Sequence, residues 1–210
     1  SRRYYTNIVG KYGVQVKALL NKAQSLRISM ICPLHGLIWR KDIDNLIQKY
    51  AKWSAYEPEI KGVLIAYSSV YGNTQSAAEI VANRLGEQGV KNIQMYDVSV
   101  THPSYVVAEA FRYSHIVFAT TTYNGGIFVT MENLLLDLKA HNLQNRTVAL
   151  IENGTWAATA AGQMKNILSS MKGMNVIANP VTLKSSVKPE KRDELIALAD
   201  AICETLKKRY

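Results

Sequence analysis

The segment from Tyr67 to Thr74 (YSSVYGNT) places hydroxyls, an amide and one glycine between an apolar run and an amphipathic run. This composition suits an anion site, because backbone N–H groups at a helix start point at a phosphate and the helix dipole favours its charge. Thr74 is expected to be the N-cap of that helix. The loop has neither the lysine of a triphosphate loop nor the GxGxxG spacing of a dinucleotide site. We therefore expect it to hold one terminal phosphate of a mononucleotide, through Ser69, Val70, Tyr71, Gly72, Asn73 and Thr74.

Two later segments each combine an aromatic side chain with glycine. The first contains Tyr123, which can lie against a flat ring, and the second contains Trp156. Either segment alone also fits a structural role, as a tight turn or as a cap on the core. Two planar side chains together with a phosphate loop describe a pocket for flavin mononucleotide. The residues expected to line it, besides the phosphate loop, are Thr122, Tyr123, Asn124, Gly125, Asn153, Gly154, Thr155 and Trp156.

Alternating strand and helix patterns would bring these segments together. Strands are predicted at 62–67, 92–96, 114–120, 146–152 and 175–183, and helices at 75–88, 103–112, 128–140, 158–171 and 188–208. Such alternation predicts a parallel sheet with helices on both faces and right-handed crossovers. Continuous apolar runs within the strands agree with burial on both faces. Ligands of such sheets bind beyond the carboxyl ends of the strands, where loops 68–74, 120–128 and 153–157 would meet.

Residues 1–57 do not continue this alternation. A helix is predicted from Tyr4 to Leu26, a short strand over Ile28–Cys32 and a second helix from Asp42 to Trp53. These elements are too few to close a core of their own. We expect this segment to be the end of another domain, with the boundary between residues 57 and 58.

Charge and composition narrow the possible partners. The formal net charge is +9, with ten basic and four acidic residues in the first sixty positions. No run of five basic residues occurs, so a nucleic-acid partner is not expected, whereas an acidic protein partner fits. No membrane span and no secretory signal are recognised, and we expect a cytoplasmic protein. Cys32 and Cys203 are predicted to be buried, inert thiols.

Residues 61–210 resemble flavodoxins, because Ser69–Thr74 matches the phosphate pattern [ST]-x-[TY]-G-N-T of that family. Three further stretches resemble, more specifically, the flavodoxin module of flavodiiron proteins: TYNGGIF from Thr122, MENLL from Met131 and ENGTWA from Glu152. This resemblance implies an α/β, flavodoxin-like, doubly wound sheet of five parallel strands in the order 2-1-3-4-5. It also implies that residues 1–57 are the remnant of a truncated metallo-β-lactamase-like diiron domain, since ICPLHGLIWR from Ile31 resembles the last stretch of that domain.

In that family the histidine of the Pro-x-His-Gly turn is an iron ligand, which here corresponds to His35. The other ligands expected from the family, an upstream HxExDH run and further His and Asp residues, do not occur in this sequence. One imidazole cannot hold two irons. His35 is therefore interpreted as the orphaned ligand of an incomplete diiron site, and this chain alone is expected to lack oxygen or nitric oxide reductase activity.

By resemblance, the chain relays electrons through flavin mononucleotide to a diiron site that reduces oxygen or nitric oxide. The implied partners are rubredoxin or an NADH-dependent reductase as donor, the missing diiron domain, and a second copy in a head-to-tail dimer. Two alternatives are a freestanding flavodoxin or flavin-dependent quinone reductase, and a cofactor-free binding module. Glu152, at the end of a predicted strand, is interpreted as a solvated loop carboxylate.

Overall fold

The computed structural model describes residues 1–208 and shows alternating strands and helices from residue 60 onward. From α3 onward the predicted helices begin and end within two residues of those observed. The strands are β1 (Ile60–Tyr67), β2 (Ile93–Asp97), β3 (Tyr113–Tyr123), β4 (Gly126–Ile127), β5 (Arg146–Asn153), β6 (Met174–Val176) and β7 (Val181–Leu183). The helices are α1 (Arg2–Ile8), α2 (Gly13–Ala23), α3 (Ile43–Ser54), α4 (Asn73–Glu87), α5 (Pro103–Arg112), α6 (Val129–Ala140), α7 (Ala160–Ser169) and α8 (Pro189–Lys207).

The sheet is parallel along its main path, in the order β2-β1-β3-β5, and β6 and β7 share the far edge beside β5. This arrangement confirms the predicted order 2-1-3-4-5. The fifth strand predicted over 175–183 is two strands, because Ala178 adopts a left-handed φ of 58° and Pro180 has no N–H for the ladder. The two-residue strand β4 pairs antiparallel with β3 and was not predicted.

Each strand of the sheet sends alternate side chains to opposite faces, and both faces are buried. On β1, Leu64 and Ala66 pack with residues of α5, α6 and α7, whereas Val63 and Ile65 pack with residues of α4 and α8. All four side chains are fully buried. Burial on both faces explains why the sequences of the strands are continuous apolar runs. The strand positions are therefore fixed firmly, and the loops at their carboxyl ends are fixed with them.

The N-terminal segment is attached to this sheet by a charged cluster. Helix α1 lies against α5, and the Arg2 guanidinium donates to the carboxylate of Glu59 and, at 2.7 Å, to that of Glu109. Trp53 Nε1 donates to Glu59 at 2.6 Å, and the Trp53 ring is 1% exposed. The Tyr56 ring packs against Phe111 with ring centroids 6.1 Å apart.

Three predictions for this segment are wrong. The single helix expected over Tyr4–Leu26 is interrupted between α1 and α2 by a 3-10 turn at Gly10–Tyr12. The strand expected over Ile28–Cys32 is only an isolated antiparallel bridge between Ile31 and Trp39, since no neighbouring strand is there to extend it. Cys32 is exposed for the same reason. Cys203, by contrast, is buried on α8, and burial raises the pKa of its thiol.

Among residues 1–208, no helix has the length and apolar character needed to cross a bilayer.

Candidate functional site

The loop after β1 has the geometry expected of an anion cradle at the start of α4. Its N-cap is Gly72, at φ 83°, so the N-cap expected at Thr74 is wrong and Thr74 is the second residue of the helix. The N–H groups of Asn73, Thr74 and Gln75 have no acceptor within the helix, as at any helix start. Ser69 Oγ is buried and has no hydrogen-bond partner among residues 1–208. A buried hydroxyl without a partner is costly, and here it lies in the predicted phosphate loop.

The end of β3 carries three consecutive threonines whose hydroxyls reach three different elements. Thr120 Oγ1 lies 2.7 Å from Ser68 Oγ, at the end of β1. Thr121 Oγ1 lies 3.1 Å from Thr74 Oγ1 on α4. Thr122 Oγ1 accepts from the backbone N–H groups that begin α7, at 3.0 Å from Thr159 N. The side chain of Thr122, predicted to line the pocket, is therefore used to cap a helix.

A tight turn joins β3 to β4 at the predicted ring-binding loop. Asn124 and Gly125 both have positive φ, 50° and 71°, which is the geometry of a two-residue type I′ turn. The Gly125 carbonyl accepts from Thr159 Oγ1 at 2.9 Å and from Gln163 Nε2 at 2.7 Å, which ties the turn to α7. Tyr123, just before the turn, is 46% exposed, and the Phe128 ring lies nearly perpendicular to its ring with the centroids 5.6 Å apart.

The loop after β5 is held by a buried amide. The Asn153 side chain donates to the Ser185 carbonyl and accepts from the Ser185 N–H, both at 2.9 Å. At Gly154 an added Cβ would lie only 3.0 Å from Ala158 Cα, so the close passage of the backbone favours glycine. Thr155 is exposed, and Trp156 is 98% exposed. The Asn153 side chain is thus committed to the protein, whereas the Trp156 ring is available to a ligand.

Glu152 is buried, so its interpretation as a solvated carboxylate is wrong. One carboxylate oxygen accepts from Ala161 N at 2.7 Å, in the first turn of α7, and the other accepts from Thr182 Oγ1 at 2.8 Å. A carboxylate at this place satisfies a free N–H group of the helix start and interacts favourably with the helix dipole.

The three loops meet at one edge of the sheet, and their chemistry fits flavin mononucleotide. The unpartnered Ser69 hydroxyl and the free N–H groups of α4 suit a phosphate, and exposed aromatic side chains suit a flat ring. The three loops carry no charged side chain from 68 to 74, 120 to 128 or 153 to 159. A bound phosphate would therefore be stabilised by oriented dipoles and hydroxyls of the loops instead of cations in them. The aromatic side chains concerned are Tyr71, Tyr123 and Trp156.

His35 lies away from these loops, in the N-terminal segment. It is exposed, its ring centroid is 5.3 Å from that of Tyr4, and it lines an open cavity of about 730 Å³ with apolar side chains of α2 and α3. No group of three or more His, Cys, Asp or Glu side chains is arranged to hold a metal within residues 1–208. A second cavity, of about 680 Å³, lies at the amino ends of the strands, beside Ser114 and Asn145.

Two residues of the site were missed by sequence reasoning. Thr121 was overlooked within the predicted loop 120–128, because the sequence gives no sign that its hydroxyl pairs with Thr74 on α4. Ser185 lies after β7, has a φ of 69°, and accepts from Asn73 Nδ2 at 3.3 Å. This loop was not considered, because one continuous strand was predicted over 175–183. Its position after a strand of the same sheet could have indicated that it belongs to the site.

Comparison of the amino-acid sequence with known proteins finds a matching family and several relatives. A sequence model of the flavodoxin family matches residues 65–206, which include all three loops. The nitric oxide reductase of Moorella thermoacetica is 27% identical over 180 residues, covering 85% of this chain and 44% of that protein.

Solved structures give a similarity along almost the whole chain. The rubredoxin oxygen:oxidoreductase of Desulfovibrio gigas superposes with a TM-score of 0.89 at 25% identity, covering 98% of this chain and 52% of that one. The flavodiiron protein of Giardia intestinalis superposes with a TM-score of 0.84 at 20% identity, covering 99% and 53%. The chain thus spans about half the length of these three proteins.

Proposed function

The chain belongs to the flavodoxin family, and we propose that it binds flavin mononucleotide and acts as the electron-transfer module of a flavodiiron oxidoreductase. The resemblance to flavodiiron proteins drawn from the motifs is confirmed by the relatives and structures it matches. The observation that carries the cofactor proposal is the buried hydroxyl of Ser69, which lacks a partner in the described residues and lies in the phosphate loop.

Each loop has a distinct part in this proposal. Ser69 and Thr74 donate to the phosphate together with the N–H groups that begin α4. Tyr123 and Trp156 lie against the two faces of the flavin ring, and the turn at Asn124–Gly125 lies along its edge. Flavin mononucleotide, when bound, supplies the redox chemistry by accepting and returning electrons. The protein holds the ring near the surface, where a donor and an acceptor can reach it.

The partner in this proposal is a diiron domain, to which residues 1–57 contribute the final part and His35 one ligand. The segment carries exposed apolar side chains around its open cavity, among them Leu19, Leu26 and Leu37, which are 66%, 65% and 81% exposed. Apolar area of this kind is rarely left to solvent and favours a covering domain. The match covers only about half the length of each of these relatives, which supports such a partner.

In its assembled form, the protein would receive electrons in the cytoplasm from rubredoxin or an NADH-dependent reductase. It would pass them to a diiron site that reduces oxygen or nitric oxide, within a head-to-tail dimer. A freestanding flavodoxin or quinone reductase explains less, because the structural similarity extends through residues 1–57. A cofactor-free binding module would leave the Ser69 hydroxyl unexplained.

The first experiment is a titration of the protein with flavin mononucleotide, followed by flavin fluorescence. Saturable quenching supports the proposal, and absence of binding favours the cofactor-free alternative. The double variant Ser69→Ala/Thr74→Ala removes two donors worth roughly 1.5–3 kcal/mol each, so the Kd is expected to rise at least tenfold. The control Ser169→Ala/Ser170→Ala removes two exposed hydroxyls at the C-terminal end of α7, away from the three loops. Its Kd should equal that of the wild type. An unchanged Kd in the first variant would place the phosphate elsewhere.

A further inference from the structure

The contact between Thr121 and Thr74 joins a strand residue outside the predicted site to the phosphate loop. Their hydroxyl oxygens lie 3.1 Å apart. Thr74 is 1% exposed, and Thr121 is half-buried. Thr121 Oγ1 has no other hydrogen-bond partner in the described part of the chain, residues 1–208. The two hydroxyls therefore form a largely buried pair. Which of them donates the hydrogen bond is set by what else Thr74 binds.

A hydroxyl has one hydrogen to donate and two lone pairs that accept. A phosphate oxygen beside Thr74 accepts only, so Thr74 must give its hydrogen to the phosphate. The contact with Thr121 can then persist only if Thr121 donates to Thr74. The geometry allows this direction, because the hydrogen of Thr121 has no competing acceptor among the described residues.

We infer that Thr121 is a positioning residue, which donates to Thr74 and thereby aims the Thr74 hydrogen at the phosphate of the bound nucleotide. This inference rests on the proposed function. Hydrogen bonds in a chain strengthen one another, so the Thr74–phosphate bond gains from its donor. Without Thr121, the Thr74 hydroxyl loses its donor and can turn to a neighbouring backbone group instead.

The inference separates phosphate binding from ring binding, and riboflavin tests it because it has the same ring and no phosphate. In Thr121→Val, which keeps the shape and removes the hydroxyl, the Kd for flavin mononucleotide should rise about five- to tenfold. The Kd for riboflavin should stay within about twofold of its wild-type value. Thr121→Ser restores the hydroxyl and should restore the affinity.

Thr120→Val is the matched control, since Thr120 is the neighbouring threonine and its hydroxyl pairs with Ser68, which precedes the predicted phosphate residues Ser69–Thr74. It should leave the ratio of the two Kd values unchanged. The phosphorus NMR signal of the bound nucleotide should shift in Thr121→Val and not in Thr120→Val. If the ratio of the two Kd values is unchanged in Thr121→Val, including the case in which both Kd values rise equally, the inference is overturned while the proposed function stands. If the wild type binds neither flavin, the proposed function and the inference fall together.

Discussion

At the scale of single residues, the site is notable for its lack of charge. The three loops contribute hydroxyls, amides and aromatic rings, and the nearest charged side chain in sequence, Glu152, is buried and turned to α7. A phosphate bound here, as proposed, would be balanced by fixed dipoles, which the fold orients before the ligand binds. Dipoles at contact distance are screened by salt much less than exposed cations are.

The affinity for flavin mononucleotide should therefore depend little on ionic strength. Raising the salt from about 0.05 M to about 0.5 M is expected to change the Kd by less than about threefold. Val70→Lys is a useful comparison, because Val70 is exposed in the cradle and a cation there should make binding tighter at low salt and salt-dependent. A steep salt dependence in the wild type would contradict the dipole account.

His115 is a buried histidine that the proposed chemistry does not use. Its ring nitrogens lie 2.8 Å from Ser114 Oγ and 3.0 Å from Thr205 Oγ1. Burial, with a smaller effect of Lys61, lowers its pKa from 6.5 to about 4. Between these two values the unfolded chain binds a proton that the folded chain does not, so stability falls as the pH falls through this window.

Over the whole window His115 should cost about 3 kcal/mol, of which about 2 kcal/mol is already lost at pH 5 relative to pH 7. Urea unfolding at the two pH values measures this difference. In His115→Asn the difference should shrink by about that amount, whereas His35→Gln, at an exposed histidine, should keep it. An unaltered pH dependence in His115→Asn would show that this ring does not titrate as argued.

The sequence identified residues by type and strand position, and it failed where a partner decides the role. The phosphate loop follows directly from hydroxyls and glycine between a strand and a helix. Glu152 was misread because its partners, Ala161 and Thr182, lie on elements whose spacing to it exists only after folding. Thr122 and Asn153 lie at the expected loops, yet their side chains are bound to protein atoms, which composition alone does not reveal.

At the scale of elements, α7 depends on the end of β5 for its start. Glu152→Ala would leave the Ala161 N–H and the Thr182 hydroxyl without their buried partner. We expect the free energy of unfolding to fall by about 1–3 kcal/mol, and amide exchange to quicken in the first turn of α7. Glu152→Gln keeps an accepting oxygen and should lose less. Equal stability of Glu152→Ala and wild type would mean that packing and the Thr122 hydroxyl are enough to hold the start of the helix.

At the scale of the whole molecule, the net charge of +9 should matter for encounters with a donor. Reduction of the bound cofactor by an acidic, rubredoxin-type donor is expected to slow markedly as salt is added, because attraction at a distance is screened. A rate that does not change with salt would remove this expectation.

The place of docking can be tested with two variants of equal charge. Lys184→Gln/Lys188→Gln neutralises two exposed lysines beside Ser185, which contacts the cradle through Asn73. Lys17→Gln/Lys22→Gln makes the same change in net charge on α2. The first pair should reduce both the rate at low salt and its salt dependence more than the second pair does. Equal effects would mean that the overall charge attracts the donor without a local docking place.

The interrupted edge strand has a consequence for how copies of this protein can associate. A continuous outer strand would present an unbroken row of N–H and C=O groups, onto which a strand of another molecule could add. Between β6 and β7 this row is broken by the left-handed Ala178 and by Pro180, which has no hydrogen to donate. Growth of the sheet from this edge into fibrils is thereby opposed by the backbone itself. At this edge, association is left to side-chain surfaces, whose shape and charge select the partner.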